Sequence, residues 1–218
     1  MNGSSRRILP DRIAGVVFDC DGVLIDSRRA NTAYYNRIRE NAGLGPMSPE
    51  EEYYTHMHAV RESLNHILPQ ELHGRLKEFA KSVDYERDIF PMIHLEPGLH
   101  ACLESLSARG LRLAVFTNRG SNGMGVVLDS FNLRPYFDPV MTVTDVQAKP
   151  APDGLLRIAE RWERPPEDLV FVGDSLLDAL AAEAAGVCFW AYRNPRLQAQ
   201  GHVSSFAELE QSLRGNFT

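Results

Sequence analysis

Two carboxylates, Asp19 and Asp21, stand two residues apart at the end of the apolar run IAGVVF. Charge at the end of a buried strand is costly unless it is used, so the pair is a candidate for chemistry. The pattern recurs at Phe171-Val172-Gly173-Asp174, where a second acid, Asp178, follows four residues later; on a helix that spacing means one face. Between these lie Val115-Phe116-Thr117-Asn118-Arg119, which puts a hydroxyl and an amide after another apolar run, and Ala148-Lys149-Pro150-Ala151-Pro152, which offers one ammonium. Taken singly, each has a plainer reading: turn aspartates, a Thr-Asn turn or helix cap, a solvated lysine. A calcium loop is excluded for the first segment, because Leu24 and Ala30 stand where such a loop needs Gly at its sixth and Glu at its twelfth position. Taken together, Asp19, Asp21, Asp174 and Asp178 form a hard, oxygen-rich cluster with one ammonium and one hydroxyl beside it. That set suits Mg2+, which takes one or two carboxylates and completes its shell with water and phosphate oxygens. No Cys/His spacing of zinc type competes with it.

The elements that must position these groups follow from the apolar pattern. Runs rich in Val, Ile and Phe at 13–19, 111–117, 140–144, 169–174 and 187–192 have the length of buried strands. Helical stretches at 97–109, 121–133, 152–162 and 176–185 separate the later ones, and alternation of this kind predicts parallel pairing. Pro97 and Pro152 sit where helices would begin, Gly110 and Gly186 where they would end. The fold class is therefore α/β, a doubly wound parallel sheet. About 90 residues separate Asp19 from Leu111, where one crossover helix would suffice. Residues 28–94 read as helical (28–41, 49–67, 69–83), punctuated by GLGP and LPQ. They form an inserted helical cap over the carboxyl edge of the sheet, where such folds place their ligands, and residues 1–27 and 95–218 make up the core. Glu50-Glu51-Glu52 falls in a first helical turn and compensates its dipole. The cap holds five histidines (His56, His58, His66, His73, His94); His56 and His58, two apart, do not share a helix face, and none is assigned a role. Trp162 and Trp190 are read as packing.

Composition limits the partners. The 218 residues carry 23 basic and 29 acidic groups, net −6, which argues against nucleic acid or an anionic membrane surface as ligand. Residues 28–94 hold 9 basic and 10 acidic groups, so most of the excess acidity lies in the core, four acids of it in the proposed site. No apolar run approaches the ~18 residues of a membrane span. The opening MNGSSRRILPDR has basic residues without an apolar stretch behind them, so no export signal is expected. Three widely spaced cysteines, Cys20, Cys102 and Cys188, fit a reducing compartment, and the cytoplasm is the expected address. Cys20, between two acids, is read as packing.

The segments DCDGV, TNR, KP and GDSLLD, in that order, resemble the four signature motifs of the haloacid dehalogenase superfamily of phosphotransferases, over nearly the whole chain. The insert is similar to the helical cap of the first subclass, and Glu96-Pro97-Gly98 with Thr117-Asn118-Arg119 resembles phosphoglycolate phosphatases. The resemblance implies a Rossmann-like core and a Mg2+-dependent phosphatase acting on a small phosphorylated metabolite. It makes Asp19 the nucleophile that forms an aspartyl-phosphate. Asp21 is then the acid that protonates the leaving oxygen and the base that activates water. Thr117 and the backbone at Asn118 would bind the phosphoryl oxygens, and Lys149 would offset their charge. Asp174, with Asp19 and the backbone carbonyl of Asp21, would hold Mg2+, and Asp178 would orient that shell. An acid at Asp21 favours phosphate esters over halides or phosphonates, which have no alkoxide to protonate. The second reading is a phosphomutase similar to β-phosphoglucomutase; the third, a non-catalytic phosphate-binding module.

Overall fold

The computed structural model describes residues 13–214; the amino-terminal segment on which the absence of an export signal was read lies outside them. In chain order the elements are β1 (Gly15–Phe18), β2 (Ile25–Asp26), α1 (Arg28–Asn41), α2 (Pro49–Met57), α3 (Val60–Ile67), α4 (Leu76–Lys81) and β3 (His94–Leu95). There follow α5 (Leu99–Ala108), β4 (Arg112–Phe116), α6 (Ser121–Ser130), β5 (Val140–Met141), α7 (Asp153–Trp162), β6 (Leu169–Gly173), α8 (Leu176–Ala185), β7 (Cys188–Tyr192), β8 (Gly201–Val203) and α9 (Phe206–Leu213).

Six strands form one parallel sheet in the order β5-β4-β1-β6-β7-β8. β1 lies between β4 and β6, covered on both faces, which is why GVVF is buried at every residue and shows no alternation with polar residues. Its side chains nevertheless divide by the strand period of two. Val16 and Phe18 enter the cluster built with Leu99, Leu103, Phe206 and Leu209 of α5 and α9. Val17 enters the opposite one with Leu155 and Ile158 of α7 and Ala181 and Ala182 of α8. Trp162 and Trp190 are both packed, as expected. A Cβ on Gly15 would lie 2.4 Å from the Trp162 ring, so this strand can cross the indole only without a side chain there. The chain enters the sheet at β1 and fills the two sides separately, and the crevice at such a reversal is where open α/β sheets bind ligands. It falls beside the residue after β1, which is Asp19.

The two-stranded antiparallel pair, Ile25 opposite Leu95 and Asp26 opposite His94, brings together the two ends of the helical segment 28–94. The helices themselves start and stop for local reasons. Ser48 and Glu51 form a reciprocal capping box at α2, with Pro49 in the first turn, and Glu51 also pairs with Arg39 of α1 at 2.7 Å. Gly110 and Gly186 take positive φ (79° and 70°) at the ends of α5 and α8, conformations glycine reaches without a Cβ penalty.

Several expectations need correction. The helix expected over 49–67 is two, because His58 and Ala59 are extended and the His58 ring bonds the Tyr54 carbonyl at 2.9 Å. The helix expected over 69–83 is a tight 3-10 stretch at 70–75 followed by the short α4, and a wide helical turn at 85–89 adds to it. The strand expected to reach residue 144 stops at Met141, because Thr142 donates to Asp145 (Oγ1 2.7 Å, N 3.0 Å) and turns the chain. The helix expected to begin at 97 begins at Leu99, after Gly98 at φ 81°, and the one expected to reach 133 ends at Ser130, before Asn132 at φ 54°. β8 and the β2/β3 pair were not anticipated; both are too short to show a period.

Candidate active site

Three strand ends and one loop deliver the site. Asp19 leaves β1 and donates its backbone N–H to Val172 O of β6 (2.9 Å). Thr117 leaves β4, its N–H bonded to Met141 O (3.0 Å). Asp174 leaves β6, its carbonyl held by Asn194 Nδ2 at 2.8 Å. Lys149 arrives from the loop before α7. All three acids Asp19, Asp174 and Asp178 can present oxygens within 4.8 Å of one another.

Lys149 is the charge centre of this group. It is 4% exposed, and its Nζ contacts Asp19 Oδ1 at 2.7 Å and Asp178 Oδ1 at 2.6 Å. The ammonium lies 5.5 and 5.6 Å from the rings of Phe116 and Phe171, which receive it face-on in the manner of a cation–π contact. Burial acts to lower the Lys149 pKa, but Asp178 and Asp19 more than reverse it, so the amine keeps its proton above the ordinary lysine range. Asp178 is fully buried and its second oxygen is spent on the α8 capping box, accepting from Ser175 N (3.0 Å) and Ser175 Oγ (2.6 Å). Its position is therefore fixed from both sides.

Three carboxylates against one ammonium leave negative charge in excess. Burial, with Asp178 beside it, pushes the Asp19 pKa up to about 7 even though Lys149 works against the rise. Burial together with Asp178 and Asp19 raises Asp174 well above the carboxylate range. A hard cation between these oxygens would remove both penalties, and the all-oxygen donor set matches Mg2+. The turn at Gly22 reinforces this fit. Gly22 has φ 81°, and a Cβ there would lie 2.2 Å from Asp174 Oδ2, so the DCDGV backbone presses directly on the Asp174 carboxylate.

The Asp21 side chain points elsewhere. Its two oxygens accept from Arg119 Nε (3.1 Å) and Arg119 Nη2 (2.5 Å), and it is also bonded by Ser27 Oγ. It is absent from the acid cluster; any part in holding metal falls to its backbone, as the family resemblance has it. Burial alone would raise its pKa, but Arg119 and Ser27 bring it below the usual carboxylate value. Asn118, whose backbone is the part expected to bind phosphoryl oxygens, has its side chain engaged elsewhere. Its Oδ1 accepts from Lys149 N at 2.8 Å and its Nδ2 donates to Lys149 O and to Met57 O, each at 3.2 Å, tying the lysine loop to the β4 end and to α2. Thr117 is 1% exposed, and its Oγ1 accepts from Arg119 N at 3.0 Å.

The sequence pattern contains Arg119 in the TNR segment but assigns it no role, and it does not single out Ser27, Tyr85 or Asn194. Arg119 Nη1 donates to Tyr85 OH (2.5 Å), so the guanidinium joins Asp21 to the helical segment. Its place two residues after Thr117 was a usable signal; nothing marks Tyr85. Cys20 is fully buried and its thiol is pushed up by burial, in keeping with packing. The site opens into a cavity of about 670 Å³, floored by the strand-end residues and walled by side chains of α1, α2 and the 85–89 turn.

Residues 16–192 match the haloacid dehalogenase-like hydrolase family model. The chain is 32% identical over 186 residues to a phosphoglycolate phosphatase of Nitrosospira multiformis, covering 81% of this chain and 82% of that protein. It is 31% identical over 199 residues to one from Escherichia coli, covering 80% and 79%. Among solved structures it is similar to a haloacid dehalogenase-superfamily hydrolase of subfamily IA from Geobacter sulfurreducens (39% identity, TM-score 0.74, 92% of this chain and 96% of that one). It shares the fold of a Pseudomonas syringae hydrolase (21% identity, TM-score 0.77, 94% and 100%). The chain belongs to the haloacid dehalogenase-like hydrolase family.

Proposed function

We propose that the chain is a Mg2+-dependent phosphatase that hydrolyses a small phosphomonoester through an aspartyl-phosphate on Asp19. The observation that carries this reading is the buried set Asp19–Lys149–Asp178 beside Asp174, opening into a cavity with Thr117 and Asp21 at its floor. The relatives named phosphoglycolate phosphatase support it. Residues 1–27 and 95–218 are read as the catalytic core and 28–94 as the cap. Among the described residues no helix is long and apolar enough to cross a membrane, and no disulfide joins Cys20, Cys102 and Cys188, which supports a cytoplasmic address.

In the first step an Asp19 oxygen attacks phosphorus, the ester P–O bond breaks, and the leaving oxygen takes the Asp21 proton. In the second, Asp21 takes a proton from water, whose oxygen attacks phosphorus and breaks the bond to Asp19, restoring the carboxylate. Lys149 keeps Asp19 aligned and ionised at the start and balances the phosphoryl charge later. Thr117 Oγ1 and the backbone N–H groups after β4 bind the phosphoryl oxygens. The Arg119-bound Asp21 of this structure is the deprotonated form, the one that water activation requires; to donate a proton it must leave Arg119 for the ester oxygen. Mg2+, held by Asp19 and Asp174 with the Asp21 carbonyl, and oriented by Asp178, would offset the charge that otherwise keeps carboxylate and phosphate apart.

Phosphate release from p-nitrophenyl phosphate and a panel of phosphorylated metabolites tests this. Wild type should release phosphate only with Mg2+, and Asp19→Asn, shown folded by circular dichroism, should release none. Equal rates for the two proteins would overturn the assignment, and conversion of a sugar 1-phosphate to its 6-phosphate with little free phosphate would move the reading to the mutase.

A further inference from the structure

The cavity walls are specific about charge. Two lysine or arginine side chains reach the cavity among the described residues, and both are engaged. Lys149 is held by Asp19 and Asp178, and the Arg119 fork is closed on Asp21 with its other edge on Tyr85 OH. None of the nine basic residues of 28–94 lines it. The two histidines there are committed too: His56 is close to Asn31 Nδ2 (3.4 Å) and buried, which lowers its pKa toward the neutral form. His58 bonds Tyr54 O through one ring nitrogen and faces Glu62 at 3.8 Å through the other. The free charge on the cap side is Glu86, an acid. Beyond it the wall is aromatic and aliphatic: Tyr34 and Tyr85, whose rings meet edge to face 6.1 Å apart, with Val60 and Ile89.

Among the described residues lining this cavity, a substrate's second anionic group would find no unengaged cation and would sit near Glu86, and desolvating an unpaired anion is costly. The volume, about 670 Å³, is in the range that takes drug-sized ligands rather than a two-carbon acid. We infer, on the footing of the phosphatase reading, that the phosphate leaves an uncharged, hydroxyl-bearing group of sugar size, and that the pocket rejects leaving groups carrying a carboxylate. Hydroxyls would donate to Glu86 and to the Asn31 side chain, while the apolar face of such a group would lie on Tyr34 and Tyr85. This departs from the substrate named for the relatives, a two-carbon phosphoester bearing a carboxylate.

The test compares esters of one length that differ in charge: sorbitol 6-phosphate, which ends in an alcohol, against 6-phosphogluconate, which ends in a carboxylate, with phosphoglycolate alongside and p-nitrophenyl phosphate as the general reporter. The alcohol-ended ester should have a kcat/KM about 100-fold above either carboxylate-bearing one, the size of effect an unpaired polar group produces. Glu86→Lys should narrow that ratio by about 10-fold through KM, as expected when a like charge is replaced by an opposite one. Turnover of p-nitrophenyl phosphate with the carboxylate-bearing esters equal or preferred, or with neither six-carbon ester accepted, overturns the inference alone. No Mg2+-dependent turnover of any ester overturns the phosphatase reading and this inference with it.

Discussion

Lowering the pH from 7 to 5 should weaken Mg2+ binding to the substrate-free protein by about 50-fold. Metal ligation needs the carboxylates deprotonated, and burial beside Asp178 sets the Asp19 pKa at about 7 in the metal-free site. At pH 7 about half of the Asp19 side chains are then ionised, and at pH 5 about one in a hundred, so the proton competes about 50 times more effectively. Asp174, raised for the same reasons, steepens the dependence. An ordinary solvated aspartate, mostly ionised at pH 5, would give almost none. Isothermal titration calorimetry with Mg2+ at pH 5, 6, 7 and 8, in two buffers of different ionisation enthalpy at each pH, measures both affinity and protons released. About half a proton per Mg2+ should appear at pH 7 from Asp19, and nearly one at pH 5.5. An affinity that changes less than 3-fold across this range, or heats independent of buffer, would show that the acid cluster is not electrostatically strained and would refute the argument for the cation.

The same shift has a folding consequence: because the Asp19 pKa is raised above its unfolded value of 3.8, the native state binds the extra proton and loses relative stability as pH rises through about 4 to 7. Metal-free Asp19→Asn should therefore gain on wild type over that window, by at most about 4 kcal/mol, and the gap should be flat above pH 7; a gap independent of pH in thermal unfolding would contradict it. Lys149→Met removes the one cation from two buried carboxylates and should cost about 3–5 kcal/mol by urea unfolding, with Mg2+-dependent activity abolished; a loss under 1 kcal/mol would mean the pair is not buried in solution. Gly22→Ala and Gly43→Ala both place a side chain at positive φ (81° and 74°), but only at Gly22 does the new carbon collide with Asp174. Both should lose about 1–2 kcal/mol from the backbone conformation, while only Gly22→Ala should lose activity, by more than 100-fold, in a phosphate-release assay.

The sheet was legible because its strands are buried on both faces: runs such as GVVF and LVFVG admit few alternatives, and the acids that end them mark the edge where the chain turns back. The small strands were not, since two or three residues carry no periodicity. In the segment 28–94 the helical character was legible and the breaks were not, because the break at His58–Ala59 depends on a ring nitrogen reaching the Tyr54 carbonyl, which no spacing announces. The site acids declared themselves by standing where charge is costly. What each touches did not: the Asp21–Arg119 pairing joins residues 98 positions apart, and the Asn118 side chain is a strut between two loops, a contact that no spacing announces. Tyr85 and Glu86 shape the cavity from a turn whose sequence, DYERDI, has no feature of a binding motif.

The antiparallel pairing of Ile25 with Leu95 and of Asp26 with His94 makes the long excursion between them topologically neutral. Its exit and its return lie side by side, so the sheet registers the same two neighbouring chain ends whether the excursion holds one turn or a whole helical layer. Closing a longer loop between fixed ends adds little entropy cost, about 0.6 kcal/mol per doubling. Selection can therefore rebuild everything beyond that doorway, its walls, its charge and its capacity, while Asp19, Lys149 and Asp174 keep their places. On the proposed reading, bond breaking and the choice of which bond to break would be inherited on separate pieces of chain, and exchanging what hangs between two short strands would graft a new preference.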